Sequence, residues 1–459
     1  MSVGPAGPVG GAPATAPQDP YALLRTRGYL QLLAVAAVIG APVCAAAFGF
    51  LALVGELEPL LYKDLPRALG FAGTPLWWPL PLLAVGGLLA GLAVRHLPGN
   101  GGHEPADGLM VGGPPAVSAL PGIVLAALAS LSFGAVLGPE APLIALGGGM
   151  AVGAVRLLHK SMPEQAAAAV GAAGSFAAVS ALLGSPLMGA FLLMEASGLG
   201  GAMLGMVLVP GLLSAGIGAL IFIGLGSWTG LGTYSLTLHH IPDAALPTVA
   251  EFGWALVVGL LAAFAATGIK RLAHFLKDRV VRHRVPATVL LGLVVGALAV
   301  AFAAATGKPS SEMLYSGQSA LGSLFSESAG YSVGALLLLI LCKGLAYCAS
   351  LSCFRGGPIF PALFLGAAGG IVLSHLPGLP LTSAFAMGVG AMCVAMLRLP
   401  MTSVLLATLL LGRPGLTVMP LVIVAVVVAY VTTLRLAPPP VTGGDASGPA
   451  SPHGPPKSP

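Results

Sequence analysis

The sequence predicts an all-α, polytopic membrane protein with two structural repeats and many tilted, broken helices. Three observations predict it. The 459 residues are 56% hydrophobic and only 8% charged, with a mean hydropathy of +0.95, whereas a soluble domain carries about 25% charged residues. Many windows of about 20 residues lack charge, and each is long enough to cross a bilayer as a helix. These apolar runs are continuous, which excludes the alternating strands of an outer-membrane barrel.

The elements follow from the apolar runs and their breakers. Helices are expected near 29–55, 76–96, 119–137, 140–158, 165–183, 187–197, 203–226, 248–277, 286–306, 331–352, 358–374, 382–394, 399–412 and 416–436. Some are too short to span and read as re-entrant or paired half-helices. The 66 glycines and 40 prolines fit broken helices whose backbones approach closely. Residues 1–24 and 438–459 are rich in Pro and Gly and read as disordered. A transmembrane domain then covers 25–437, and no cleavable signal peptide is expected because the first apolar run begins near Leu30.

The net charge of +5 does not point to nucleic acid, because the basic residues sit in loops. They cluster at Arg25 and Arg27, at Arg156 and Lys160, and from Lys270 to Arg284 (KRLAHFLKDRVVRHR). The positive-inside rule puts these segments in the cytoplasm. The loop GLGTYSLTLHHIPDAALP (230–247) has no Lys or Arg and should face outward. A multi-pass protein of the cell membrane follows, with both termini cytoplasmic. The five cysteines (44, 342, 348, 353, 393) lie in apolar stretches without metal spacing and read as packing residues.

The chain echoes itself. GPEAPLIALGGGMA (138–151) resembles GPIFPALFLGAAGG (357–370), and LLGSPLMGAFLLMEA (182–196) resembles MLRLPMTSVLLATLL (396–410). The two offsets agree at roughly 215 residues, as in transporters built from two repeats. The halves are read as 76–226 and 286–436.

Gly-Pro at the entry to an apolar segment marks a helix N-terminus, since Pro needs no N–H in the first turn. The free amides would belong to Glu140, Ala141 and Leu143 in the first half, and to Ile359 and Phe360 in the second. A helix N-terminus carries about half a positive charge and binds anions. Two such ends meeting at midplane would form an anion site from backbone dipoles alone. Glu140 would sit there as a tethered anion competing with a mobile one. The plainer reading makes it a helix cap, but intramembrane carboxylates are costly and functional by default.

At these residues the sequence resembles the CLC chloride channels and chloride–proton antiporters, in consistent order over about 25–437. The family's GxExGP-like segment is similar to GPEAP, its GxFxP segment to GPIFP (357–361), and its GSGIP segment to GNGGH (99–103) near a helix start. The NAPLAG pattern followed by acidic residues resembles GSPLMG (184–189) with Glu195. The resemblance implies two inverted repeats, a homodimer in the lipid bilayer, and one anion pathway per subunit. It implies Glu140 as the gate, protonatable in some members, and anion contacts at Gly138, Gly357, Ile359, Phe360 and Pro361, with Asn100 or Gly101 from the inner side.

Several positions depart from the family. Asn100 most naturally takes the place of the anion-binding serine, with Gly101 the alternative if the alignment slips by one. Pro358 removes an amide that commonly faces the anion. The inward glutamate of many antiporters falls on Ala196, so proton coupling should be weak or use another route. No residue matches the pore tyrosine, Tyr430 being too early.

Chloride is the expected substrate. A fluoride–proton antiporter of the same family is the alternative, because that branch departs at the same serine motif and lacks the inward glutamate. An intramembrane enzyme using Glu140 or His103 is the distant one, and no nucleophile or metal partner stands at usable spacing. No cofactor is expected. HHIPD (239–243) reads as a solvated turn rather than a metal site through His239, His240 and Asp243, and HEPAD (103–107) is not HExxH. Glu104 and Asp107 read as solvated caps near the inner mouth and Arg398 as a helix-end anchor. Lys343, in LLLLILCKGLAYC, has three open readings: a carbonyl partner, the aqueous vestibule, or an interface.

Overall fold

A computed structural model describes residues 23–109, 113–158, 164–198, 201–231, 238 and 241–437. Residues 1–22, Lys160, His239, His240 and the tail 438–459 lie outside the described residues, and with them 232–237 of the 230–247 loop. The first helix, α1 (Arg27–Pro59), opens at Thr26, whose hydroxyl accepts the Tyr29 N–H. It runs through a π-helical stretch, Leu60–Asp64, into α2 (Leu65–Ala68). There follow α3 (Pro79–His96), α4 (Leu120–Leu131), α5 (Glu140–Leu158), α6 (Glu164–Leu183), α7 (Pro186–Ser197) and α8 (Gly201–Thr229).

The second set begins with α9 (Val249–Val280), which starts at a capping box formed by Thr248 and Glu251. It continues with α10 (Arg284–Thr306), α11 (Leu321–Ser326), α12 (Val333–Cys353) and α13 (Ile359–Leu373). It closes with α14 (Leu381–Leu397), α15 (Pro400–Leu411) and α16 (Arg413–Leu436).

Eight helical stretches among the described residues are long and apolar enough to cross a membrane, and five apolar helices are shorter. The packing repeats. Helix α1 lies on α8, α5 on α6 and α6 on α8; in the second set α9 lies on α16, α13 on α14 and α14 on α16. These pairings involve α1 and α9, which begin outside the halves read from the sequence. Contacts between α3 and α10, and between α7 and α15, join the two sets. The core is thickest at α13 and α14, where nearly every side chain is buried. All five cysteines are buried and free.

The structure changes several sequence expectations. Helix α4 stops at Leu131 rather than continuing to 137. Gly134 takes φ 104, and the chain from 132 to 139 unwinds to carry Gly138 towards the second set. GNGGH does not open a helix. Gly99, Asn100, Gly101 and Gly102 all have positive φ, and only a 3-10 turn, Pro105–Asp107, follows. The short helices α2 and α11 carry no strong sequence signal.

Charged residues are spent on anchoring. Lys343 is fully buried on α12, and its Nζ donates to the carbonyls of Glu312, Met313, Leu314 and Tyr315 at 3.0–3.3 Å. Of its three readings, the carbonyl partner is the one observed. Glu195 caps α15, accepting from the Met401 and Thr402 amides and the Thr402 hydroxyl at 2.7–2.9 Å. Arg398 takes the left-handed position that ends α14.

Glu104 and Asp107 are not solvated caps. Lys277 lies 2.8 Å from both carboxylates, and Arg284 and Arg355 reach Glu104 at 2.9 and 3.3 Å. Burial alone would push the Glu104 carboxyl up, but hydrogen bonds from Lys277 and Arg284 and the Arg355 and Lys277 charges hold it down at about 2.

Two predictions follow from these anchors. Lys343→Met leaves four carbonyls without their donor, so it should destabilise the protein by at least ~2 kcal/mol. Thermal unfolding in detergent reads this, with Lys63→Met at an exposed site as a near-neutral control. Because the folded pKa of Glu104 lies below its unfolded value of about 4.3, its stabilisation is complete above that value and fades as pH falls towards 2. The stability gap between wild type and Glu104→Gln should therefore be wide at pH 7, fall to about half its size by pH 3 and go on shrinking towards pH 2.

Candidate anion site

The site begins with two glycines. Gly138 N–H donates to the Gly357 carbonyl at 2.8 Å, and Gly357 N–H donates back at 2.5 Å, forming an isolated antiparallel bridge. Two serines brace it from opposite sides. Ser350, near the end of α12, accepts the Val136 N–H at 3.0 Å, and Ser130, near the end of α4, accepts the Arg355 N–H at 2.9 Å. Each strut starts in one repeat and ends at the matching place in the other.

Helices α5 and α13 begin just past the bridged glycines, so their N-termini converge. Pro139 and Pro358 sit at these starts, where no N–H is needed. The Leu143 N–H, expected to be free, donates to the Pro139 carbonyl at 3.1 Å in the first turn of α5.

Glu140 fills the space between the helix ends. Its side chain is fully buried. Oε1 accepts the Phe360 N–H at 3.0 Å, so the carboxyl of one repeat lies on the helix start of the other. Oε2 has no hydrogen-bond partner among the described residues. A Cβ at Gly138 or Gly357 would collide with this carboxyl, so glycine at both positions lets it lie against the bridge. Pro361, buried in the first turn of α13, contributes no donor.

Tyr347, which sequence reasoning missed, is fully buried on α12 and donates its hydroxyl to the Pro358 carbonyl at 2.7 Å. The available signal was a phenol in an apolar helix, since a buried Tyr hydroxyl usually has a partner.

A cavity of about 620 Å³ has in its wall Arg355, whose partner Glu104 also holds Lys277 of α9 and Arg284 of α10. Gly102, His103, Ala141, Pro142, Arg355 and Gly356 line it, so it reaches the first turn of α5. Gly101 also lines it, but Asn100 does not; the Asn100 side chain is exposed and its carbonyl accepts from Arg355 Nε at 3.3 Å. Of the two inner-side alternatives, Gly101 faces the cavity. Arg355 is the second residue missed from sequence, although an Arg beside GGP in an apolar stretch was there to notice. His103 contacts the Gly108 carbonyl at 3.0 Å through Nε2.

Comparison with known proteins agrees with this architecture. The family profile described as voltage gated chloride channel matches residues 86–434. The chain is 26% identical over 417 residues to the putative ion-transport protein YfeO of Escherichia fergusonii, covering 88% of this chain and 94% of that protein. Its fold is similar to that of a slow cyanobacterial Cl−/H+ antiporter, with a TM-score of 0.74 and 18% identity over 88% of this chain and 95% of the other. A CLC-type fluoride/proton antiporter matches with a TM-score of 0.65 and 19% identity, over 90% and 97% of the two chains. The architecture and the profile match together establish that this chain belongs to the voltage-gated chloride channel (CLC) family.

Proposed function

We propose that this protein carries chloride across the cell membrane through the junction of the α5 and α13 N-termini, with Glu140 as its gate. The observation that carries the reading is the 3.0 Å hydrogen bond from Phe360 N–H to Glu140 Oε1 across the two repeats. A carboxylate there occupies the place a mobile anion would take. The energies are matched. A hydrogen bond to a charged group contributes about 1.5–3 kcal/mol, and a helix end up to about 2. An ionised carboxylate taken out of water costs several kcal/mol after the surroundings relax. Neither side wins by much, so a proton on Glu140 or a competing anion can release the carboxyl.

The Ile359 and Phe360 amides form the proposed anion contacts; Gly138 and Gly357, whose amides are used in the bridge, bound the space beside them, and Gly101 lies on the inner approach. Fluoride transport was favoured by Asn100 at the serine motif. The exposed Asn100 side chain weakens that ground, while Ala196 in place of the inward glutamate still fits the fluoride branch; chloride is kept as the first substrate and fluoride as the alternative. Proton coupling is expected to be weak. Ala196 cannot carry a proton, and both oxygens of Glu195 are committed to the start of α15. An enzyme built on Glu140 is disfavoured by its engagement with Phe360. We read the protein as a homodimer in the bilayer, with the basic α9–α10 connection and both termini in the cytoplasm.

Efflux from proteoliposomes tests the gate. Wild-type chloride flux should rise as external pH falls. Glu140→Gln, which mimics the protonated group, and Glu140→Ala, which removes the plug, should both carry chloride with little pH dependence. Folded variants that keep the wild-type pH profile would make Glu140 a structural cap only.

A further inference from the structure

Arg355 is a buried cation that the helix-dipole gate does not use. Its side chain is only 3% exposed, yet it lines the inner cavity together with the first turn of α5. A guanidinium carries five N–H groups. Nε donates to the Asn100 carbonyl, one terminal nitrogen to the Phe354 carbonyl and the other to Glu104 Oε1, each at 3.3 Å. One N–H on each terminal nitrogen is then left without a partner among the described residues.

The surroundings hold this group in place. Gly101, at φ 70, lies under the arginine stem; a Cβ there would come 3.2 Å from Arg355 Cγ and 2.7 Å from Val94 Cγ2. GNGGH is therefore a seat for Arg355: Gly101 makes room for the stem and the Asn100 carbonyl fixes Nε. Three cations, Lys277, Arg284 and Arg355, face the carboxylates of Glu104 and Asp107, with His274 3.6 Å from Asp107. The carboxylates do not cancel the positive charge. Glu104 is shared among three cations, so Arg355 is only partly neutralised. The cavity wall is otherwise mainly apolar, as at Leu109, Ile123 and Ile144, and a charge acts more strongly there than in water. With about 30 Å³ per water molecule, the cavity has room for a hydrated anion.

We propose that Arg355 is a specificity-determining anion receptor at the inner mouth, whose unpaired terminal N–H groups favour small planar oxyanions such as nitrate over spherical halides. The proposal rests on the anion-transport reading for its role in flux, but binding at Arg355 does not depend on transport. A guanidinium matches the flat, two-oxygen edge of an oxyanion, whereas a halide takes only the charge. Glu104 competes for the same fork and so limits how tightly an anion is held. Anions then reach the Glu140 site from a pool already sorted by shape.

Calorimetry and efflux on the full-length protein test this together, using nitrate and chloride with wild type, Arg355→Gln and Arg355→Lys. Lys277 and Arg284 still hold Glu104 in both variants, and size-exclusion elution confirms their fold. Wild type should bind nitrate more tightly than chloride. Arg355→Gln should weaken nitrate binding about tenfold, the loss of one charged hydrogen bond, and reduce the nitrate-to-chloride flux ratio. Arg355→Lys should recover chloride binding but not the nitrate preference. Folded variants with wild-type nitrate affinity and flux ratio would overturn the proposal. If wild type binds nitrate through Arg355 yet moves no anion, the transport reading fails and the receptor stands.

Discussion

The structure turns on the pair of hydrogen bonds between Gly138 and Gly357. They bring the starts of two helices from different repeats together in the interior. Much else follows from that constraint. Helices α4 and α12 stop at Leu131 and Cys353, short of the bridge, and hand it non-helical chain. Ser130 and Ser350 must each reach across to satisfy an amide that unwinding leaves open. Glycine at both bridge positions leaves the space that the Glu140 carboxyl fills. Both helix dipoles then point at one place, and the Glu140 carboxyl occupies it.

The buried and loop charges are arranged so that backbone dipoles govern this centre. Lys343 is absorbed by four carbonyls of the α10–α12 connection, at the end of α10 away from its basic start. Glu195 is absorbed by the first turn of α15, which ties the two repeats at a second point. At the basic end, Glu104 gathers Lys277, Arg284 and Arg355 and pins the unwound 97–109 segment to α9 and α10. A fixed lysine at the centre would hold an anion as a salt. Dipoles attract it without that depth, which suits a site that must also release.

Much of this was legible in the sequence. The apolar runs located the long helices, and the GPEAP and GPIFP echo located the central pair. A Gly-Pro start in an apolar run carries its own physics, so Glu140 and Phe360 could be named before their contact was seen. What stayed hidden depends on long-range geometry. Nothing local distinguishes an Asn100 whose side chain binds an anion from one whose carbonyl holds Arg355. The left-handed run at 99–102 was a Gly-rich turn rather than a helix start. Glu104 looked solvated because its cations lie far away in the chain, on α9, on α10 and after α12. Lys343 had three open readings because the carbonyl cage belongs to a separate loop.

The central claim is that the Glu140 carboxyl and a mobile anion compete for one place at the Phe360 amide. The most direct measurement is anomalous diffraction from bromide-soaked crystals of wild type and Glu140→Gln. The account predicts a bromide peak within hydrogen-bonding reach of the Phe360 and Ile359 amides in the variant. In wild type at neutral pH that peak should be weaker or absent, with the carboxyl in its place. Equal bromide occupancy in both proteins, with Glu140 still bonded to Phe360, would contradict it.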